Sequence, residues 1–293
     1  MNAKCNLIID SCCDLPPKVV DLPGVELAEF PFVDDEGEHF DDLWRSEDMH
    51  KFYERMKKGS SPVTSQVPPI HMRDIFEKAA ASGVPTLYLS FSSALSSHFG
   101  TASTVLQDVL AEHPSADVRI VDTRLASTAE ALIVYEALRK REEGATIDEL
   151  EQWANEARFC VEGYFMVDEL DALRRGGRIP KVVAFAGSKL KVKPILTFDL
   201  EGGLAIAGAA RGRNKGIELL AEKLAERIDI LKPAVICMGH ADCEKDMGRL
   251  WQKLQGKGTV LRRIEQPIGP VIGSHVGPGM LTIAFWGRDR RKR

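Results

Sequence analysis

The sequence predicts an α/β protein with two domains. Short apolar runs alternate with helical patterns in the first half, whereas the second half mixes helices with a hairpin and a Gly-rich passage. Strand–helix alternation is typical of a mostly parallel sheet with helices on both faces. The 293 residues are enough for two cores. We expect an N-terminal α/β domain over residues 1–158 and a smaller C-terminal α/β domain of α+β style over residues 159–293.

The elements of the first half follow from periodicity and from end signals. The predicted strands are CNLIID, VPTLYLSFS and DVRIVDT, and the predicted helices are SEDMHKFYERMKKG, HMRDIFEKAAASG, SSHFGTASTVLQDVLAEH and STAEALIVYEALRKREEG. We expect Ser46 to cap the first of these helices, where Glu47 and Asp48 suit the positive helix end.

The second half begins after the helical segment TIDELEQWANEAR. The predicted strands are FCVEGYFMV, VKPILTFD, LAIAGAAR, AVICMGH, TVLRRIEQ and MLTIAFWG, and the predicted helices are DELDALRRGGR, NKGIELLAEKLAERID and EKDMGRLWQKLQG. An apolar segment, PKVVAFAGSKLK, precedes the strand VKPILTFD. The residues LEGG are expected to turn VKPILTFD into LAIAGAAR as a hairpin. The passage IGPVIGSHVGPG is expected to be a rigid loop.

Composition narrows the function classes. The formal net charge of −4 does not support a nucleic-acid partner, and the basic tail GRDRRKR reads as a solvated, frayed end. Apolar runs are too short to span a bilayer or to act as a signal peptide, which favours the cytoplasm. The six cysteines form no metal-ligand spacing and are expected to be free thiols. Phosphate-loop, dinucleotide and metal motifs are absent, so we expect no cofactor and no metal.

Polar side chains follow three predicted strands, in DSCCD, SFSS and DTRLAS. Because functional groups collect beyond the carboxyl ends of parallel strands, we expect one polar crevice at this edge. The loop SSPVTSQVPP adds Thr64 and Ser65, two hydroxyls on a backbone stiffened by prolines. These hydroxyls either meet a ligand or merely face water.

The serines after the strand TLYLSF have three readings. Ser96 or Ser97 can cap the helix that follows, and hydroxyls before a helix start also suit an anion. A catalytic serine is the poorest reading, because the G-x-S-x-G turn is missing and His98 lies in the helix pattern, turned from Ser92 and Ser93. Anion binding is the best of the functional readings.

Basic residues occur at two further junctions. Arg174, Arg175 and Arg178 surround a Gly-Gly pair, which is equally a helix C-cap or an anion site. Arg211, Arg213 and Lys215 lie at a strand-to-helix junction, as solvated surface or as an anion or partner site. The default for His275 is a structural imidazole, although a rigid loop favours function more than a helix face does.

Together these segments resemble the DegV family, the fatty-acid-binding subunit of bacterial fatty acid kinase. The segment IIDSCCDLP is similar to the family's D-S-x-x-D-L-P motif, and TSQVPP is similar to its T-S-Q-P-S/T loop. LSFSSALSSHFGTA resembles the serine stretch, VDTRLAS the V-D-S-x-x-x-S/G segment, and LDALRRGGRI, KVKPIL and IGPVIGSHVGPG nearly match letter by letter. The departures are Cys12, Cys13, Ala94, and Ser97–His98 in place of Gly-Thr.

The resemblance implies a ligand tunnel between or beneath the two domains that encloses one long-chain fatty acid. By motif position, Thr64, Ser65, Ser92 and Ser93 would contact its carboxylate, and Arg174 and His275 would lie nearby. A separate ATP-dependent kinase would convert the acid to an acyl-phosphate, and Arg211, Arg213 and Lys215 resemble the surface that faces this kinase. The implied chain is a non-catalytic lipid carrier for phospholipid synthesis, with transient contact to a membrane surface allowed.

Elementary energetics agree with such a carrier. Burying a sixteen-carbon chain releases roughly 11 kcal/mol at about 0.8 kcal/mol per methylene, before ordering costs. Neutral hydroxyls with one arginine nearby would orient the carboxylate and leave it nucleophilic. Two alternatives stay open: a hydrolase or phosphotransferase using Asp10, Ser92 or His275, and a lipid-responsive regulatory protein.

Overall fold

Three sheets organise the computed structural model, which describes residues 3–179, 192–232, 234–255 and 262–292. The strands within these ranges are β1 (Asn6–Asp10), β2 (Val25–Ala28), β3 (Pro31–Asp34), β4 (Gly37–Phe40), β5 (Val63–Thr64), β6 (Thr86–Ser90), β7 (Val118–Asp122), β8 (Val161–Met166), β9 (Val192–Phe198), β10 (Leu204–Arg211), β11 (Val235–His240), β12 (Arg262–Pro267) and β13 (Leu281–Trp286).

The helices of the same ranges connect and cover these strands. They are α1 (Pro17–Val20), α2 (Met49–Lys57), α3 (Pro69–Ala81), α4 (His98–Glu112), α5 (Ser127–Glu142), α6 (Ile147–Ala157), α7 (Asp171–Arg175), α8 (Arg213–Arg227), α9 (Glu244–Gln255) and α10 (Pro270–Val276). No helix of the described part is long and apolar enough to cross a membrane.

The first sheet is parallel, as the alternating pattern predicts. Its strand order is β2-β1-β6-β7, and every neighbouring pair runs parallel. Strands β1 and β6 are almost completely buried, which explains their continuous apolar runs. The α/β class is therefore confirmed for the first half.

The second half forms a six-stranded mixed sheet in the order β10-β9-β8-β13-β11-β12. Neighbours are antiparallel except β11 and β12, and LEGG connects β9 to β10 as the predicted hairpin. Helix α5 from the first half packs against β8, β11 and β13, so one hydrophobic core contains residues of both sheets. The division at residue 158 stays a prediction.

Three sequence expectations need correction, and one feature was not predicted. The unpredicted feature is a small antiparallel sheet, β4-β3-β5. Asp48 rather than Ser46 caps α2, because its carboxylate accepts hydrogen bonds from the backbone N–H groups of His50 and Lys51. The passage IGPVIGSHVGPG contains helix α10, with Pro270 at its first position, instead of being a loop. The tail is docked rather than frayed, since Arg290 is buried and donates to the carbonyl of Phe198.

Two expectations reach outside the described residues. These are the apolar segment PKVVAFAGSKLK at 180–191 and the first part of the strand TVLRRIEQ at 259–261.

Candidate functional site

A cavity of about 340 Å³ lies between the carboxyl edge of the parallel sheet and the six-stranded sheet. This volume falls in the range of small-molecule pockets, roughly 300–1,000 Å³. Most of its wall is apolar, and the apolar residues come from both halves of the chain: Phe30, Phe91, Leu95, Ala126, Phe165, Leu173, Phe198, Leu204, Val271, Ile272, Val276 and Met280. Such a wall suits a hydrocarbon better than a sugar or a nucleotide.

One side of the cavity carries a linked group of polar residues, here called the polar mouth: Thr64, Ser65, Gln66, Ser96, Ser97, Arg178 and His275. Ser65, Ser97 and Arg178 are also exposed, so this side opens to solvent. The other hydroxyl-bearing lining residues, Ser127, Thr128 and Thr282, are buried. Thr128 and Thr282 bond to each other at 2.8 Å. The cavity therefore has one polar, solvent-facing end.

Thr64 and His275 meet at the polar mouth. Thr64 Oγ1 and His275 Nε2 are 2.8 Å apart, although the residues come from opposite ends of the chain. Strand β5 fixes Thr64 because it pairs with Phe32 of β3, and the backbone N–H of Ser65 donates to the carbonyl of Pro31. The prolines that follow, Pro68 and Pro69, begin α3 and keep the loop short. The stiff loop inferred from the sequence is present.

The imidazole of His275 is neutral near pH 7. Burial, with the positive charge of Arg178, lowers the pKa of His275 to about 4. Its Nδ1 has no hydrogen-bond partner within the described ranges. Gly176 leaves room for the ring, because a Cβ on Gly176 would stand 2.9 Å from His275 Cε1 and closer still to Nδ1. The Gly-Gly pair after α7 thus shapes the site as well as ending the helix.

The structure does not bring Ser92 and Ser93 to the cavity lining. Ser92 is buried, and its Oγ donates to the carbonyl of Gly202 at 2.9 Å. Ser93 is exposed, and its Oγ donates to the carboxylate of Asp122 at 2.6 Å. Ser92 therefore stabilises the turn between β9 and β10, and the hydrogen bond of Ser93 connects the ends of β6 and β7. Their predicted contact with an anion would need both hydroxyls to change partners.

Ser96 and Ser97 lie at the start of α4 and also on the cavity wall. Both precede α4, and Ser96 Oγ accepts from the backbone N–H of His98 at 3.1 Å. Both also line the cavity, and Ser97 Oγ donates to Gln66 Oε1 at 3.0 Å. Ser97, a departure from the family pattern, thereby connects α4 to the Thr64 loop.

Among the three arginines near the Gly-Gly pair, Arg178 is the one at the cavity. Its Nε donates to the carbonyl of Leu95 at 2.8 Å, and a second nitrogen donates to the carbonyl of Gly176. Arg174 is exposed, pairs with Asp171 at 2.7 Å and does not line the cavity. A contact between Arg174 and a bound carboxylate stays a prediction, and it would require Arg174 to leave Asp171.

The predicted kinase-facing cations have different surroundings. Arg211 and Lys215 are exposed, and Lys215 pairs with Glu218 at 2.9 Å. Arg213 is instead held between Asp168, at 2.8 Å, and Asp246. Arg213 therefore connects β8 to α9, and only the other two are available to a partner.

The loop after β1 is buried beneath the cavity. Asp10 accepts from the hydroxyl of Tyr88 and from the backbone N–H of Phe91, and burial raises its pKa to about 7. Cys12 lines the cavity, and burial raises the pKa of Cys12 and Cys13 well above the usual range, so both thiols stay protonated near neutral pH. The described part of the chain holds no cluster of three or more His, Cys, Asp or Glu side chains that could bind a metal.

Comparison with known proteins shows that the sequence is similar to one protein family over almost its whole length. A sequence profile of the DegV family, described as uncharacterised proteins, matches residues 4–288. A DegV domain-containing protein of Clostridium perfringens is 35% identical over 281 residues, which cover 96% of this chain and 97% of that protein. A DegV domain-containing protein of Lactococcus lactis is 35% identical over 238 residues, covering 81% of each.

Solved structures share the fold. A DegV lipid-binding protein of Thermotoga maritima superposes with a TM-score of 0.83 at 29% identity, covering 98% of this chain and 99% of that chain. A fatty-acid-binding DegV family protein of Thermus thermophilus superposes with a TM-score of 0.84 at 26% identity, covering 97% and 99%. The two-half α/β architecture inferred from the sequence is confirmed.

Proposed function

Because the chain belongs to the DegV family, we propose that it binds one long-chain fatty acid in the cavity, with the carboxylate at the polar mouth. The observation that carries this proposal is the form of the cavity, an apolar wall that ends in the bonded pair Thr64 and His275. The lipid and fatty acid bound by the Thermotoga and Thermus relatives support the same ligand class.

The apolar wall supplies the affinity. Each buried methylene contributes about 0.8 kcal/mol, so a chain of ordinary length outweighs the cost of association. The lining residues Phe30, Phe91, Phe165 and Phe198 provide broad faces for a methylene chain. The acyl tail needs no specific contact, and the polar mouth determines the orientation of the fatty acid.

The polar mouth orients the carboxylate without neutralising it fully. The hydroxyls of Thr64 and Ser65 are uncharged donors and His275 is neutral, so among the described lining residues Arg178 supplies the positive charge. Hydrogen bonds from neutral donors leave a carboxylate oxygen more nucleophilic than a bidentate arginine clamp does. This balance suits an acid that must later attack a phosphoryl group.

The finer role is presentation of the acid to a separate ATP-dependent kinase that forms the acyl-phosphate for phospholipid synthesis. The resemblance to fatty acid kinase subunits supports this step, together with a mouth that faces solvent. Arg211 and Lys215 are the proposed kinase contacts, whereas Arg213 is committed to its ion pairs. Such a role places the chain in the cytoplasm, where ATP is present.

Lipid extraction tests the ligand class. The purified chain is extracted with solvent, the lipid is quantified by mass spectrometry, and the emptied protein is titrated with palmitate. We expect one fatty acid per chain and saturable binding. The absence of both would refute the proposal.

The kinase step is tested by adding the catalytic subunit of a bacterial fatty acid kinase and ATP. Acyl-phosphate should form more slowly with Arg211→Ala than with the wild type. The control is Lys253→Ala, which removes a cation that pairs with Glu218 at 3.4 Å and should leave the rate unchanged. Equal rates for the wild type and Arg211→Ala would remove Arg211 from the proposed kinase contacts.

A hydrolase is the second candidate, because Thr64 and His275 form a hydroxyl–imidazole pair. A nucleophile–base pair needs a third group that orients the imidazole, and His275 Nδ1 has no such partner in the described residues. Asp10 and Ser92, the other predicted catalytic residues, are bonded elsewhere. Turnover of an ester or an acyl-phosphate by the chain alone, abolished in Thr64→Val, would favour this candidate.

A further inference from the structure

Asp14 ties two walls of the cavity together. Its Oδ1 accepts from the backbone N–H of Gly269 at 2.7 Å, and its Oδ2 accepts from Ser127 Oγ at 2.5 Å. Gly269 directly precedes α10, the helix that carries His275, and Ser127 begins α5 and lines the cavity. The position of α10 relative to the rest of the site therefore depends on this carboxyl group.

Asp41 lies beside Asp14 at the same point. Asp14 Oδ1 and Asp41 Oδ2 both lie within 2.8 Å of where a Cβ on Gly269 would stand, so the two carboxyl groups are neighbours. Asp41 Oδ1 accepts from the backbone N–H of Leu43 at 3.1 Å, and the carboxyl group also faces the backbone N–H of Val271 in α10. Both side chains are buried, at 2% exposed for Asp14 and 1% for Asp41.

No cation balances this pair within the described ranges. The titratable groups that face it are Asp10, Cys12, Cys13, Asp42, Tyr53 and Glu130, all neutral or acidic. Two adjacent carboxylates cannot both ionise in a buried site without a counter-charge. Burial raises the pKa of Asp14 to about 7, and burial with the charge of Asp14 raises the pKa of Asp41 well above its usual range.

We infer that Asp14 and Asp41 are positioning residues of the site, which do not both ionise in the folded protein and so hold the start of α10 and the ring of His275 against Thr64. This inference rests on the proposed function, because it concerns the geometry of the same cavity. Protonated carboxyl groups stabilise this arrangement at low pH. The stabilisation is lost as the pH rises through about 7, because both acids titrate above their usual range.

The direct readout is the imidazole of His275 in the lipid-free protein, followed by NMR of ¹⁵N-histidine-labelled chain from about pH 5.5 to about pH 8.5. His275 itself stays neutral throughout this range. We expect its ring signals to move with a midpoint near that of Asp14. In Asp41→Asn the amide can donate to the Asp14 carboxylate and favours its ionised form, so the midpoint of the movement should shift to lower pH. Asp171→Asn, at an exposed ion pair, is the control and should follow the wild type.

The same variants are titrated with palmitate over this pH range. The wild-type Kd is expected to increase with pH, at most about tenfold per unit for one linked proton, while the Kd of Asp41→Asn changes less. The titration of palmitate affects all variants equally and cancels in the comparison. If palmitate binds to no variant, the proposed function fails, and the imidazole signals still decide the inference.

Two results would overturn the inference: pH-independent His275 signals in the wild type, or the same titration in Asp41→Asn. If Asp41→Asn does not fold, Asp14→Asn serves instead. Its amide still accepts from Gly269 and can donate to Ser127, while the titrating group is removed.

Discussion

Replacing Gly176 by alanine separates the role of the site from the stability of the fold. Gly176 lies at the end of α7 with φ of −72°, a helical conformation that alanine adopts without strain. The added Cβ would stand 2.9 Å from His275 Cε1 and nearer to Nδ1, so the imidazole must move away. The hydrogen bond between His275 and Thr64 would then be broken.

The magnitude follows from the bonds involved. Alanine in place of a helical glycine stabilises by about 0.5–1 kcal/mol, which offsets the loss of one neutral hydrogen bond of about 1 kcal/mol. Folding stability should therefore change little. In the complex, Thr64 without His275 to hold it would also lose its proposed hydrogen bond to the fatty-acid carboxylate. A hydrogen bond to a charged carboxylate is stronger, about 1.5–3 kcal/mol. The affinity for fatty acid should accordingly fall by roughly tenfold to a hundredfold.

Isothermal titration with palmitate and thermal unfolding measure the two quantities. The matched control is Gly177→Ala, whose Cβ meets no atom of the described residues within 4 Å but whose φ of +72° strains alanine. This control should lose about 1 kcal/mol of stability and keep its affinity. Wild-type affinity in Gly176→Ala, or an equal loss of affinity in Gly177→Ala, would refute the assigned role of His275.

Three further predictions concern the mouth and the buried charges. Thr64→Val keeps the side-chain shape but removes the hydroxyl, so palmitate affinity should fall about tenfold, and an unchanged Kd would remove Thr64 from the site. Arg213→Ala breaks the ion pairs to Asp168 and Asp246, so the free energy of unfolding measured in denaturant should fall by about 1–3 kcal/mol. A variant with unchanged stability and weaker palmitate binding would contradict this structural role. Burial raises the pKa of Asp10 to about 7, so unfolding free energy should fall as pH rises from about 4 through about 7. Asp10→Asn should show a smaller fall, and identical curves would contradict this assignment.

The regular elements were predictable because their signals are local. The strands β1 and β6 are continuous apolar runs, and α5 is rich in the strong helix formers Ala, Leu, Glu, Lys and Arg. The three-stranded sheet was missed because its strands are only two to four residues long, and because β5 pairs with β3 from beyond helix α2. The sequence of α10 predicts a loop because glycine and proline usually interrupt helices, whereas here a proline begins the helix.

Residue types identified the site, and the fold selected among them. Thr64 and His275 were predicted separately, and their bond across 211 positions is a tertiary result. Ser92 and Arg178 illustrate the remaining difficulty. The direction of a side chain at a strand end or after a short helix depends on tertiary packing. The hydroxyl of Ser92 therefore donates to a backbone carbonyl, and Arg178 rather than Arg174 lines the cavity. The spacing of the serines in the sequence does not indicate which of them line the cavity.

The position of the bound carboxylate tests the central claim most directly. A crystal structure of the chain with palmitate should show one acyl chain among the apolar lining residues and a carboxylate oxygen within hydrogen-bonding distance of Thr64 Oγ1. Density for the lipid outside this cavity, or a carboxylate at the buried end beside Thr128 and Thr282, would contradict the account.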